Sequence, residues 1–153
     1  MSDPIGTFWE QARAAVPALA GVTRYKVRGF GRQEQLSRMV LNVIRNGEKT
    51  GTFAVDWEFD AQPEQRPVPG DHYIVVDHAD VPEMVIRITA TEIVPYSEIG
   101  QRHVDHEGKV MRDLEAWRKL HWPYWTAVLG ALGREPAEDM PILFQEFVRV
   151  YPA

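Results

Sequence analysis

Lys49 and Thr52 stand on a short polar string, "NGEKTGTF" from Asn46 to Phe53, set between two apolar segments. A lysine there supplies a compact cation with three donors, and burial lowers its pKa enough for base chemistry. A threonine hydroxyl becomes a useful nucleophile only when a neighbouring base takes its proton. Lysine beside threonine is therefore a minimal hydrolase pair, and it equally suits the binding of a carbonyl or a phosphate. The same string also reads as an ordinary solvated turn, because Asn, Gly and Thr are common in loops for local backbone reasons.

The elements that must position this pair follow from periodicity and punctuation. Asp3-Pro4 reads as an N-cap followed by proline at the first helical position. Phe8, Ala12, Val16 and Leu19 then recur at helical spacing, which predicts a helix ending at Gly21. "TRYKVRGF" alternates like a short strand or an extended arm. From Gln33 the pattern turns helical again, with Leu36, Val40, Val43 and Ile44 on one face. Asn46-Gly47 falls where a left-handed C-terminal cap belongs. "TFAVDWEF", rich in β-branched and aromatic residues, predicts a strand that contains Trp57. A proline-rich loop, "DAQPEQRPVPGD", closes it, and Gly70-Asp71 turns the chain into the next strand.

"HYIVVDH" and "EMVIRITATEIV" are two further strands, joined by a turn around Ala79 to Pro82, with Pro95 ending the second. A polar stretch, "SEIGQRHVDHEGK", precedes a helix built on Leu114, Trp117, Leu120 and Trp125. Pro123 inside that pattern predicts a kink or break near Leu120. "ILFQEFVRVYP" is a closing strand. This order argues an α+β fold, a small curved sheet or partial barrel with helices at its ends. Lys49 then lies on a helix-to-strand connection, free to point into a concavity at the end of the sheet.

Composition bounds the partners. The chain of 153 residues reads as one domain with a single core, and it contains no cysteine, which excludes disulfides and thiol chemistry. The N-terminal segment carries Asp3 and Glu10 and lacks a signal-peptide pattern, and no stretch is long and apolar enough to span a membrane. The expectation is a cytoplasmic protein. Its net charge of −5 disfavours extended binding to a phosphate backbone. The one locally basic segment, "RYKVRGFGR", offers Arg24, Lys26, Arg28 and Arg32 as phosphate contacts. The balance favours a small ligand or a single nucleotide. His103, Asp105 and His106 are closely spaced without a second ligand cluster, so neither a metal nor another cofactor is expected. No oligomeric state is legible.

Gly47-x-Lys49-x-x-Thr52 resembles the G-x-K-x-x-T-x-R signature of the ASCH domain, a small β-barrel related to the PUA fold; Ala54 stands at the position of the last arginine. The resemblance runs from Gly31 to Pro152 through "PVPGD", "EIVPYSEI", Glu107-Gly108, "LEAWRKLHW", "EDMPILFQEF" and a terminal "VYP", and points to a bacterial single-domain branch. Residues 1–30 would then be an N-terminal helix and extended segment ahead of the family-like core.

Members similar to this chain include hydrolases of acylated cytidines such as N4-acetylcytidine. The resemblance implies catalytic roles for Lys49, Thr52 and Glu107, on a small nucleoside or nucleotide. Other members look like RNA-binding modules or ribonucleases, and fold alone does not choose among these. Gly47, Trp57, Tyr96, Arg118 and His121 are the candidate ligand-binding residues around such a pocket. Trp57 and Tyr96 are the stacking candidates, whereas Trp117, Trp122 and Trp125 have the spacing of core residues. Arg118 and His121, a turn apart, either line the pocket or satisfy local carboxylates.

Overall fold

The computed structural model describes residues 3–153, the side chain of Val110 excepted. Among these residues it contains strands β1 (Lys26–Gly29), β2 (Gly51–Val55), β3 (His72–Val76), β4 (Pro82–Pro95) and β5 (Pro141–Tyr151). The α-helices are α1 (Pro4–Ala15), α2 (Glu34–Arg45), α3 (Gln101–Val104) and α4 (Leu114–Ala131). The strands make a mixed sheet in the order β1-β3-β4-β5-β2. β1 is parallel to β3, while β3 with β4 and β2 with β5 are antiparallel. The class is α+β. The chain divides into two compact units: one runs up to Gly47 and includes Pro69–Thr89 and the residues from Phe147 on, and the other comprises Glu48–Val68 and Ala90–Glu146.

In the first unit both faces of β3 and early β4 are covered, so these strands read as nearly unbroken apolar runs. Tyr73, Val75, Met84 and Ile86 pack with Leu41 and Ile44 of α2, whereas Ile74, Val76 and Val85 pack with Trp9 and Ala12 of α1 and with Leu19. The Asp3 carboxylate caps α1 by accepting the Gly6 N–H at 3.0 Å. That helix stops at Ala15 rather than at Gly21. Val16 precedes Pro17, which clashes with a helical neighbour, and Val16 is extended at φ −118° and ψ 108°. A single 3-10 turn, Pro17–Leu19, then delivers Leu19 to the core. On α2 the buried face is Ser37, Leu41 and Ile44, and Leu36 is exposed. Gly47, at φ +83°, ends that helix in the left-handed conformation expected of it.

The second unit is built around β2 and α4. All five residues of β2 are buried. Phe53 and Val55 lie opposite Phe144 and Ile142 of β5 and share one strand face with them. Those four pack against Trp117, Trp125 and Leu129 of α4, with Tyr96, Ile99 and Met140. Phe53 meets Trp117 edge-on at 4.9 Å and Trp117 meets Trp125 at 5.5 Å. Each such pair is worth ~0.5–1.5 kcal/mol beyond the area it buries.

One expectation is corrected in this unit, and another is narrowed to exclude a break in α4 at Pro123. The strand stops at Val55, and Asp56–Phe59 forms a 3-10 turn, so Trp57 is not a strand residue. Arg66 draws the chain out of the ladder, its Nε donating to the Asp56 carboxylate at 2.8 Å. Helix α4 runs unbroken through Pro123. An internal proline costs ~3 kcal/mol, but Trp117 on one side of it and Trp125 and Leu129 on the other are fully buried and anchor both halves.

Candidate functional site

Lys49 is 6% exposed, on the connection that leads into β2. Its Nζ donates to the Gly51 carbonyl at 2.7 Å and to Oε1 of Glu107 at 2.6 Å. The two partners are 58 positions apart in sequence. The contact brings together a buried ammonium and a carboxylate that is itself only 11% exposed. Such a pair stands or falls together, because removing either partner strands the other charge away from water.

Backbone geometry explains how Glu107 gets there. Glu107 ends the short turn Asp105–Glu107, which follows α3. The Thr50 N–H donates to the His106 carbonyl at 2.9 Å, and the Thr50 hydroxyl meets His106 Nδ1 at 2.8 Å. His106 Nε2 lies 3.4 Å from the Glu146 carboxylate. Adjacent residues on one segment, Lys49 and Thr50, thus clasp adjacent residues on the other, Glu107 and His106. Gly51 permits the approach, since a Cβ there would fall 2.8 Å from the His106 Cβ. Gly108, at φ +94°, turns the chain away again, and the Lys109 N–H reaches the Glu48 carboxylate at 3.4 Å.

His121 occupies the same neighbourhood. Its Nδ1 is 2.8 Å from the Trp117 carbonyl, one turn earlier on α4. The ring stacks on Trp117 at 4.5 Å and meets Phe53 edge-on at 6.2 Å. Burial holds its pKa below the ordinary histidine value; the Trp117 carbonyl and the Glu107 charge oppose that shift, and the Lys49 charge adds to it.

Thr52 is buried in β2 opposite Gln145, and strand alternation directs its side chain to the face opposite Phe53. Tyr96 is 4% exposed inside the aromatic cluster, its ring 5.0 Å from Trp122 and 6.0 Å from Trp117. Trp57 packs against that cluster and carries the Arg134 guanidinium 4.1 Å over its ring. Arg118 reaches the Ile99 carbonyl at 3.5 Å. Gly47 is exposed at the end of α2.

The basic candidates belong to the first unit. Lys26 pairs with Asp71 at 2.9 Å, Arg28 lies over the rings of Phe30 and Tyr73, and Arg24 and Arg32 are exposed. His103 is buried, with Nδ1 accepting the Gly100 N–H at 3.0 Å. Among the described residues no group of three or more histidines and carboxylates is disposed to hold a metal ion. Thr50, Gly51, Gly108 and Glu146 escaped a reading by residue type. Only the glycine between the two threonines hinted at a close approach.

This glycine-framed lysine–glutamate clasp sits within a segment that a family model recognises as a whole: the ASCH domain model matches residues 26–151. The chain belongs to the ASCH domain family. Its fold matches the crystal structure of an ASCH domain from Lactobacillus crispatus JV V101 with a TM-score of 0.89 and 23% identity, over 99% of this chain and 96% of that one. It also matches protein EF3133 from Enterococcus faecalis V583, with a TM-score of 0.85 and 21% identity over 97% and 90% of the two chains. At these identities the likeness is one of fold. No curated protein matches the sequence significantly. The ASCH match begins at Lys26, in β1, so it takes in the basic segment from Lys26 but leaves α1 outside.

Proposed function

We propose that this ASCH domain hydrolyses the amide of an acylated pyrimidine nucleoside of the N4-acetylcytidine type, through Lys49, Thr52 and Glu107. The observation that carries the reading is the 2.6 Å contact between the Lys49 ammonium and the Glu107 carboxylate. Moving one proton across it converts the ion pair into an amine and a carboxylic acid. Those are the base and the acid that amide hydrolysis needs, and in a tightly coupled pair the two forms belong to the pair rather than to either residue.

The Thr52 hydroxyl attacks the acyl carbonyl while the Lys49 amine accepts its proton. Glu107, as the acid, delivers a proton to the departing exocyclic amine. Water then releases the acyl group from Thr52 and restores the pair. The local fold supports the assignment of base and acid, since the Thr50–His106 clasp holds Glu107 on Lys49 without help from a ligand.

The test is a panel of N-acylated cytidines and a short RNA with the wild type and with Lys49→Ala, Lys49→Arg and Thr52→Val. Turnover of an acylated nucleoside by the wild type is expected, with loss of activity in all three variants. Lys49→Arg retains binding in part, because it keeps the charge but cannot act as a base. Full turnover by Lys49→Arg would overturn the assignment of lysine as the base. Binding of RNA with no nucleoside turnover would make the site a reader.

A further inference from the structure

His121 has one ring nitrogen committed and one not. Its Nδ1 lies 2.8 Å from the Trp117 carbonyl, and a carbonyl only accepts, so the ring proton is on Nδ1. In the neutral ring Nε2 is then a bare lone pair. Among the described residues Nε2 has no hydrogen-bond partner, and it is not one of the side-chain atoms sealed from solvent. The ring cannot swing to hide it, because Trp117 stacks on one face at 4.5 Å and Trp125 lies 4.9 Å away. Burial keeps the imidazole neutral despite the nearby Glu107 carboxylate. The charges of Glu107 and Lys49 both act on the ring, so the lysine–glutamate pair lies near His121.

We infer that His121 Nε2 is a fixed acceptor for a ligand N–H, so that the site reads an adjacent C=O and N–H: the carbonyl toward Lys49 and the N–H toward His121. A secondary amide has that pair, and an ester or a tertiary amide has not. His121 thereby becomes a specificity-determining residue. The inference rests on the proposed reading of Lys49 as part of an amide site, but it concerns recognition and not cleavage.

Two measurements test it. Nitrogen-15 NMR of the ligand-free protein at neutral pH should show His121 with a protonated Nδ1 and a bare Nε2. An Nε2–H tautomer, or a charged ring, would overturn the inference without any ligand. Binding is then measured with Thr52→Val, using N4-acetylcytidine and its N4-methyl derivative, which keeps the carbonyl and lacks the N–H. The derivative should bind about tenfold more weakly or worse, and only the parent should shift the Nε2 resonance.

His121→Phe keeps a stacking ring and should erase that preference, with its thermal melting confirming the fold. Equal affinity for both compounds, no binding of either, or a preference that survives His121→Phe overturns the inference. Selective binding by a protein that never cleaves the amide keeps it and removes the hydrolase. Turnover indifferent to the N–H does the reverse.

Discussion

At the scale of single residues, the Lys49–Glu107 contact joins two buried charges from distant parts of the sequence. Both side chains are close to fully buried, so each charge depends on the other. Glu107→Gln keeps the shape and removes the counter-charge, and should cost ~3 kcal/mol of unfolding free energy in urea denaturation. Lys49→Met alone should cost a similar amount. The double variant should recover much of the loss, because two apolar or neutral groups no longer leave a charge stranded. Additive losses would show that the pair is solvated and unimportant for the fold. Lysine and threonine were legible from residue type and spacing, and Glu107 only from its order among family motifs. No local periodicity ties position 49 to position 107, because a contact at that separation is a property of the folded chain.

At the scale of elements, two glycines control whether the turn after α3 can approach β2. Gly51→Ala would place a Cβ 2.8 Å from the His106 Cβ and 3.1 Å from the Gln145 carbonyl. Neither is the far end of a flexible side chain, so the turn must move, at a cost of ~1–3 kcal/mol. The move should also carry Glu107 off Lys49. Gly108→Ala, at φ +94°, and Gly70→Ala, at φ +95°, each force a side chain into a positive-φ conformation, at a cost of ~1–3 kcal/mol. Gly70 has nothing within 4 Å to clash with, and it lies outside the unit that holds Lys49. Denaturation midpoints should therefore fall in both, while ligand binding at Lys49 should weaken only in Gly108→Ala. Equal binding in the two variants would separate the turn from the site.

Elements themselves were readable where one residue type dictates a backbone state. Asp3-Pro4 starts α1, Gly47 ends α2 and Pro95 ends β4. The helix continues across Pro123 because burial of the tryptophans on both sides outweighs a local penalty.

At the scale of the whole molecule, charge and buried histidines set the response to solution conditions. Burial is the leading cause that lowers the pKa values of His72, His103 and His121. With folded values below the unfolded one, their contribution is present above about pH 6.5 and is lost as the pH falls through the folded values. Unfolding free energy should thus decline on acidification below about pH 6.5, and His121→Phe should flatten that decline. A stability profile that is level from pH 7.5 to pH 5 would contradict this. The net charge of −5 makes a second expectation. Any affinity for RNA should be weak, because the chain is acidic and only the Arg24–Arg32 segment is locally basic, and it should fall as salt rises, because phosphate contacts gain their energy from counterion release. Filter binding that is tight and indifferent to salt would favour a reader of RNA over a nucleoside enzyme.

The amino-acid sequence by itself determined the α+β class and the order of the main helices and strands, since capping residues, prolines, glycines and apolar periodicity act over a few residues; the turn at Asp56–Phe59 and the short helix α3 lay outside its reach. Only the tertiary structure decided that Glu107 and Lys49 are in contact, that Tyr96 lies within the aromatic cluster, and that His121 keeps one nitrogen open. These are outcomes of long-range packing: a backbone clasp between Thr50 and His106, and a ring stack on α4, each fixed by partners that no local pattern brings together.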